Sequence, residues 1–153
     1  AKGGLVRVCS VILAVSIGAF GLAGCSVLDR KGNVFSLEVG DCFNGPAIGY
    51  ESEEVGDVDS VSCSEPHMYE VYSQFELTGS SWPGDSTVGS RADEGCKARF
   101  PSFVGMDYDS SEWYITSVFP TEDSWNRGND RAVTCSVGPE YGTTTGSARG
   151  TRR

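Results

Sequence analysis

The chain has a single histidine, His67, no C-x-x-C pair, and 12 lysines and arginines against 21 aspartates and glutamates. Each shortage excludes something. One imidazole and no closely paired thiols remove the usual ligand sets of a structural zinc site, so no metal is expected. The basic deficit gives a formal net charge of −9, which argues against nucleic acid as a partner. Such binding depends on lysine and arginine displacing counterions from phosphates, and no basic stripe interleaved with aromatics occurs. No G-x-S-x-G elbow is present to carry a serine nucleophile. No internal repeat is visible, and no cofactor is expected. The longest apolar run, Val8 to Phe20, is short of the roughly 20 residues that cross a bilayer.

What that run resembles is a leader. Lys2 and Arg7 precede it, and Leu22-Ala23-Gly24-Cys25 closes it, giving the charged, apolar and small-residue parts of a secretory signal. A cysteine directly after the small residues adds a lipid. Its sulfur takes a diacylglyceryl group as a thioether before the leader is cut on its amino side. Residues 1–24 are therefore expected to be a lipoprotein signal peptide, and Cys25 the lipidation site. Lipid chains contribute about 0.8 kcal/mol per buried CH2, so two or more hold a protein stably on a membrane without crossing it. The expected location is the extracytoplasmic face of the cell membrane. Residues 25–36 read as a tether, 37–137 as one domain of ordinary size, and 138–153, dominated by Gly, Thr, Ser and Arg, as a disordered tail.

A domain this small buries a modest core, and covalent staples help it. Cys42, Cys63, Cys96 and Cys135 form an even set in an exported chain, where disulfides are the default. Three pairings are open to four cysteines. The expected pairing is Cys42 with Cys63, joining neighbouring strands, and Cys96 with Cys135, tying a helix to the last strand. Loops of these sizes correspond to roughly 3 to 4 kcal/mol each in the chain-entropy model.

Local patterning gives the elements. Val39 to Phe43 reads as a short strand with a turn or bulge at Gly40, and Asn44 to Asp59 as an acidic loop. His67 to Leu77 carries the strongest strand signal, with Tyr69, Val71, Phe75 and Leu77 expected inward and Glu70, Gln74 and Glu76 outward. Val88, Ala92, Cys96 and Phe100 fall four apart, which predicts a helix from Asp85 or Ser86 to about Phe100, ended by Pro101. Trp113 to Phe119 and Ala132 to Val137 read as strands joined by a loop from Pro120 to Asp130. The fold class is a small α+β domain: a mainly antiparallel sheet, one covering helix and two disulfides.

Several short motifs then occur in order: Val39-Gly40-Asp41-Cys42-Phe43-Asn44, Cys63-Ser64-Glu65-Pro66-His67 with Glu70-Val71-Tyr72, Cys96 with Phe100, Pro120-Thr121 with Ser124-Trp125, and Asp130-Arg131 before Val133 and Cys135. Together they resemble the actinobacterial septum formation domain family over essentially the whole folded domain. Two departures stand out. Asn129 is inserted between Gly128 and Asp130, and Met68-Tyr69 are bulkier than the residues that usually follow the histidine. The resemblance implies a link to septum formation and the cell envelope, and supplies no established reaction.

Candidate binding residues follow. Glu65 and His67 flank a proline beside a cysteine, where the imidazole would either bind a ligand or hydrogen-bond backbone carbonyls and lock the turn. Trp125 is an interface anchor or a lid over the core. Asp130 and Arg131 belong to the motif set. Asp57-Val58-Asp59 and Asp107 to Ser111 hint at calcium loops, but the second has Glu112 where such a loop needs glycine, so both read as solvated acidic segments. The expected role is a non-enzymatic envelope module that binds a protein or a wall polymer. The alternative is a cell-wall hydrolase.

Overall fold

A computed structural model describes residues 30–45 and 57–153. The leader, Cys25 and most of the expected acidic loop lie outside the described residues. Six strands form one antiparallel sheet in the order β1-β3-β2-β4-β6-β5. They are β1 (Arg30–Asn33), β2 (Cys42–Asn44), β3 (Asp57–Val61), β4 (Tyr69–Glu76), β5 (Tyr114–Val118) and β6 (Ala132–Gly138). Helix α1 (Asp85–Val104) covers one face, and a short α2 (Glu122–Gly128) precedes β6. The α+β class and mainly antiparallel sheet are as expected, with a second helix added.

Both disulfides form as expected, Cys42–Cys63 with Cα atoms 5.2 Å apart and Cys96–Cys135 with Cα atoms 5.6 Å apart. The first joins β2 to the turn after its neighbour β3, and the second ties α1 to β6.

The sheet has an apolar cluster on each face. On the α1 side Val88, Ala92, Cys96, Phe100, Phe103 and Val104 pack on Tyr72, Val133, Cys135 and Val137. On the other, Val34, Leu37, Phe43, Val58 and Val71 form a second cluster. Val34 belongs to the segment expected as a tether and packs with Leu37 at the expected start of the domain, so residues 30–36 are part of the domain. Apolar side chains at 34 and 37 bury against the sheet, and the backbone from Arg30 to Asn33 pairs with β3. Asp57 and Asp59 likewise lie in β3 and not in a loop.

The strongest strand signal holds in place but not in parity. Between β4 and β6, Val71 faces Ser136 and Ser73 faces Cys135, so Tyr72 is the extra residue of a β-bulge. A bulge reverses which parity points inward. Tyr69 and Val71 therefore join the far cluster, while Tyr72, Phe75 and Leu77 meet the helix side. Glu70, expected outward, is buried at 3% exposure.

Helix α1 runs one turn past the predicted stop and contains Pro101. The extension buries Phe103 and Val104, and it ends at Gly105, whose left-handed φ of 91° lets its N–H return to the Pro101 carbonyl. Two further terminal carbonyls are satisfied from the last residues of the chain. Gly150 N–H donates to Phe103 O (2.8 Å) and Arg152 N–H donates to Val104 O (3.0 Å), supplying partners that a helix end otherwise lacks. The tail is thus ordered along the domain, correcting the expectation of disorder. Its few apolar atoms mislead, because hydrogen bonds to backbone and to a buried carboxylate hold it.

Candidate functional site

The turn before β4 is built on Asn44. Its side-chain carbonyl accepts from Met68 N–H (2.9 Å), and its amide donates to Pro66 O (3.3 Å), which fixes the chain on both sides of His67. The imidazole is 1% exposed, and Nδ1 lies 2.8 Å from Glu65 O. A carbonyl only accepts, so the proton sits on Nδ1. The His67 backbone exchanges two hydrogen bonds with Thr144, at 2.9 and 2.8 Å. Glu65 is exposed and contributes its backbone carbonyl to the histidine, with no ion pair between the two side chains. This geometry is a turn lock. It joins β4 to the tail through the paired backbones of His67 and Thr144.

Alternation predicts Glu70 outward, yet its carboxylate is buried. Its Oε1 accepts from Ser147 Oγ (2.6 Å) and its Oε2 from Ala148 N–H (2.7 Å). Charge-assisted bonds of this kind are among the stronger ones a protein makes. Nearby, Gly146 N–H donates to Cys63 O (2.6 Å). Cys42, Cys63 and Glu70 offer atoms within 4.8 Å of one another, but the two sulfurs are bonded to each other. Metal binding by cysteine needs thiolate, so the cluster has only one ligand to offer.

Trp125, Asp130 and Arg131 come together in a second constellation. Trp125 is 1% exposed, which corrects its candidacy as an interface anchor. It sits on α2, in the stretch expected to be a loop. Thr121 caps that helix through a reciprocal box with Ser124, Glu122 and Asp123 occupy its first turn, and the inserted Asn129 takes the left-handed cap at φ 51°. These are ordinary start and stop signals in residues that are otherwise polar. The Arg131 guanidinium lies 3.6 Å from the Trp125 ring centre, and Trp82 packs edge-on at 5.5 Å. The same guanidinium donates to the carbonyls of Gly79, Trp125 and Asp130. Asp130 accepts from Ser124 Oγ (3.0 Å) and from Ala132 N–H (2.9 Å). Arg131 therefore clamps the turn after β4 to α2, and Asp130 starts β6. Trp125 Nε1 is buried and has no hydrogen-bond partner among the described residues.

The family model for septum formation matches residues 39–151. The chain belongs to the septum formation family. No curated protein and no solved structure matches it. The matched span of this septum formation domain reaches past β6 through the tail to residue 151, in agreement with the packing of Thr144, Ala148 and Gly150 on the sheet and helix. Membership supports a septum-related role.

Proposed function

We propose that this septum formation domain is a lipid-anchored, extracytoplasmic binding module that presents a disulfide-stapled surface to an envelope protein or wall polymer, without catalysing a reaction. One observation carries the choice over a hydrolase. His67 Nδ1 and the Arg131 guanidinium are held by backbone carbonyls, and the Asp130 carboxylate is held by Ala132 N–H and the Ser124 hydroxyl. A catalytic acid or base must instead reach a substrate proton.

Support for the location comes from two disulfides in a domain of this size, since such bonds persist in oxidising compartments. The Leu22-Ala23-Gly24-Cys25 pattern supplies the anchor. No helix among the described residues is long and apolar enough to cross a membrane.

The test has two arms. In cells, photocrosslinking from the exposed Tyr141 or Tyr114 is expected to capture an envelope component, and Cys25→Ser is expected to leave an uncut, unlipidated precursor. On purified peptidoglycan, the protein is expected to release no soluble fragments. Fragment release abolished by His67→Ala would establish the hydrolase instead.

A further inference from the structure

Arg149, Arg152 and Arg153 fall within five residues of a chain whose net charge is −9. All three are exposed, and none makes an ion pair among the described residues. They are nevertheless held in place. The Arg149 guanidinium lies 4.3 Å from the centre of the Phe103 ring, and Arg153 lies 4.8 Å from that of Trp113. Between them the backbone is fixed by Gly150 and Arg152 on the end of α1. Thr151 adds to this, accepting from Trp113 Nε1 (3.1 Å), and Arg153 O accepts from Ser111 Oγ (2.6 Å). Arg152 takes a left-handed φ of 55°, a conformation uncommon for a long side chain and worth a functional question. The helix C-terminus beneath accounts for part of the placement, because cations are favoured there. That end carries only about half an elementary negative charge, so it offsets only part of the three guanidinium charges.

We propose that these arginines form a docking surface for an extended polyanion whose charges are phosphodiesters. Guanidinium forks match pairs of phosphate oxygens, and stacking on rings already spends the side-chain freedom that binding would otherwise cost. The rest of the surface selects the shape of the partner. A flat anionic bilayer pressed against this patch would also meet the acidic groups around it, such as Asp109 and Glu112 on the neighbouring exposed segment. A thin chain can lie on the arginines alone. The inference deepens the wall-polymer branch of the proposed function and rests on it.

The experiment titrates the full chain, in nonionic detergent, into labelled poly(glycerol phosphate) across a salt series. Three phosphate contacts predict a slope of log K against log salt of about −2, and a fall of roughly tenfold to twentyfold between 50 and 200 mM. Changing all three arginines to glutamine is expected to lower affinity at least tenfold and flatten the slope, whereas changing all three to lysine keeps the slope. A control that removes two positive charges elsewhere, Arg91→Gln with Arg127→Gln, is expected to change little. Amide exchange at Gly150, whose N–H bonds to Phe103 O, reports whether the tail stays docked. Unchanged binding by the glutamine variant with the tail docked overturns the proposal, as does equal binding to polyglutamate or to phosphatidylglycerol vesicles. Failure here alongside retained crosslinks in cells would remove the polymer and leave the module with a protein partner.

Discussion

Glu70 and Ala148 lie 78 positions apart and meet through a 2.7 Å hydrogen bond from backbone to carboxylate inside the domain. Ser147 completes the pair of bonds, and no cation stands within ion-pair distance of the carboxylate among the described residues. The buried acid is thus solvated by the tail, and the tail is ordered by the acid. Glu70→Gln removes the charge, leaves an amide oxygen to accept from Ala148 N–H and turns the Ser147 hydroxyl from donor to acceptor. It is expected to cost about 1 kcal/mol, the difference between charge-assisted and neutral hydrogen bonds. Urea denaturation measures that loss, and faster amide exchange at Ala148 than at Val133 would locate it in the tail. Equal exchange at both sites would mean that Glu70 supports the sheet and not the tail.

This relationship marks where the sequence stops being legible. Period-2 patterning finds β4, but one extra residue at Tyr72 inverts its parity, and nothing in a run of alternating residues announces a bulge. The inversion hides Glu70. It also hides the tail's order, since a Gly-, Ser- and Thr-rich segment looks unfolded until its acceptors are known. Other features depend on local chemistry and read correctly. The cysteine pairing follows from element adjacency, and the positive φ of Gly40, 102°, sits in the expected turn. Helix α2 was readable from Thr121, Ser124 and Arg127, but its single buried side chain, Trp125, gives no periodic stripe. The bond between His67 Nδ1 and the Glu65 carbonyl is set by the turn, and no spacing in the sequence announces it.

Gly95 gives a prediction in which two effects oppose. In an exposed helix interior, Gly→Ala stabilises by about 1 kcal/mol. Here a Cβ would overlap the Phe75 ring, and the Arg99 guanidinium, 4.0 Å from the ring centre on its other contact, limits where that ring can go. Overpacking of this kind costs about 1 to 3 kcal/mol, so Gly95→Ala is expected to lower the melting temperature. Combining it with Phe75→Leu should recover most of the loss. A stabilised single variant would show that the α1–β4 contact is looser than the geometry indicates.

Arg131 tests whether the second constellation is structural. Arg131→Lys keeps the charge but loses the planar fork that reaches three carbonyls and the stacking on Trp125. A cost of about 1 to 3 kcal/mol is expected, with a change in Trp125 fluorescence measured in a background lacking Trp82 and Trp113. If stability is unchanged while crosslinking to a partner is lost, Arg131 acts at an interface after all.

Tyr72 predicts the alkaline limit of the fold. Its hydroxyl is buried and donates to Cys96 O (2.8 Å). Burial, followed by the neighbouring Tyr108, pushes its pKa well above the ordinary phenol value. The proton is therefore held more tightly in the folded state than in the unfolded one. The resulting stability is fully present below about pH 10, where both states are protonated. Above that pH the unfolded chain releases the proton first, and stability falls by about 1.4 kcal/mol per pH unit until the folded pKa is reached. Tyr72→Phe loses one hydrogen bond and leaves the Cys96 carbonyl without it, so it starts less stable, by about 1 kcal/mol. It should then lose stability less steeply through the alkaline range. Denaturation curves at pH 8, 10 and 11 for both proteins measure the difference. Parallel decline would assign the alkaline loss to other groups and remove Tyr72 as its source.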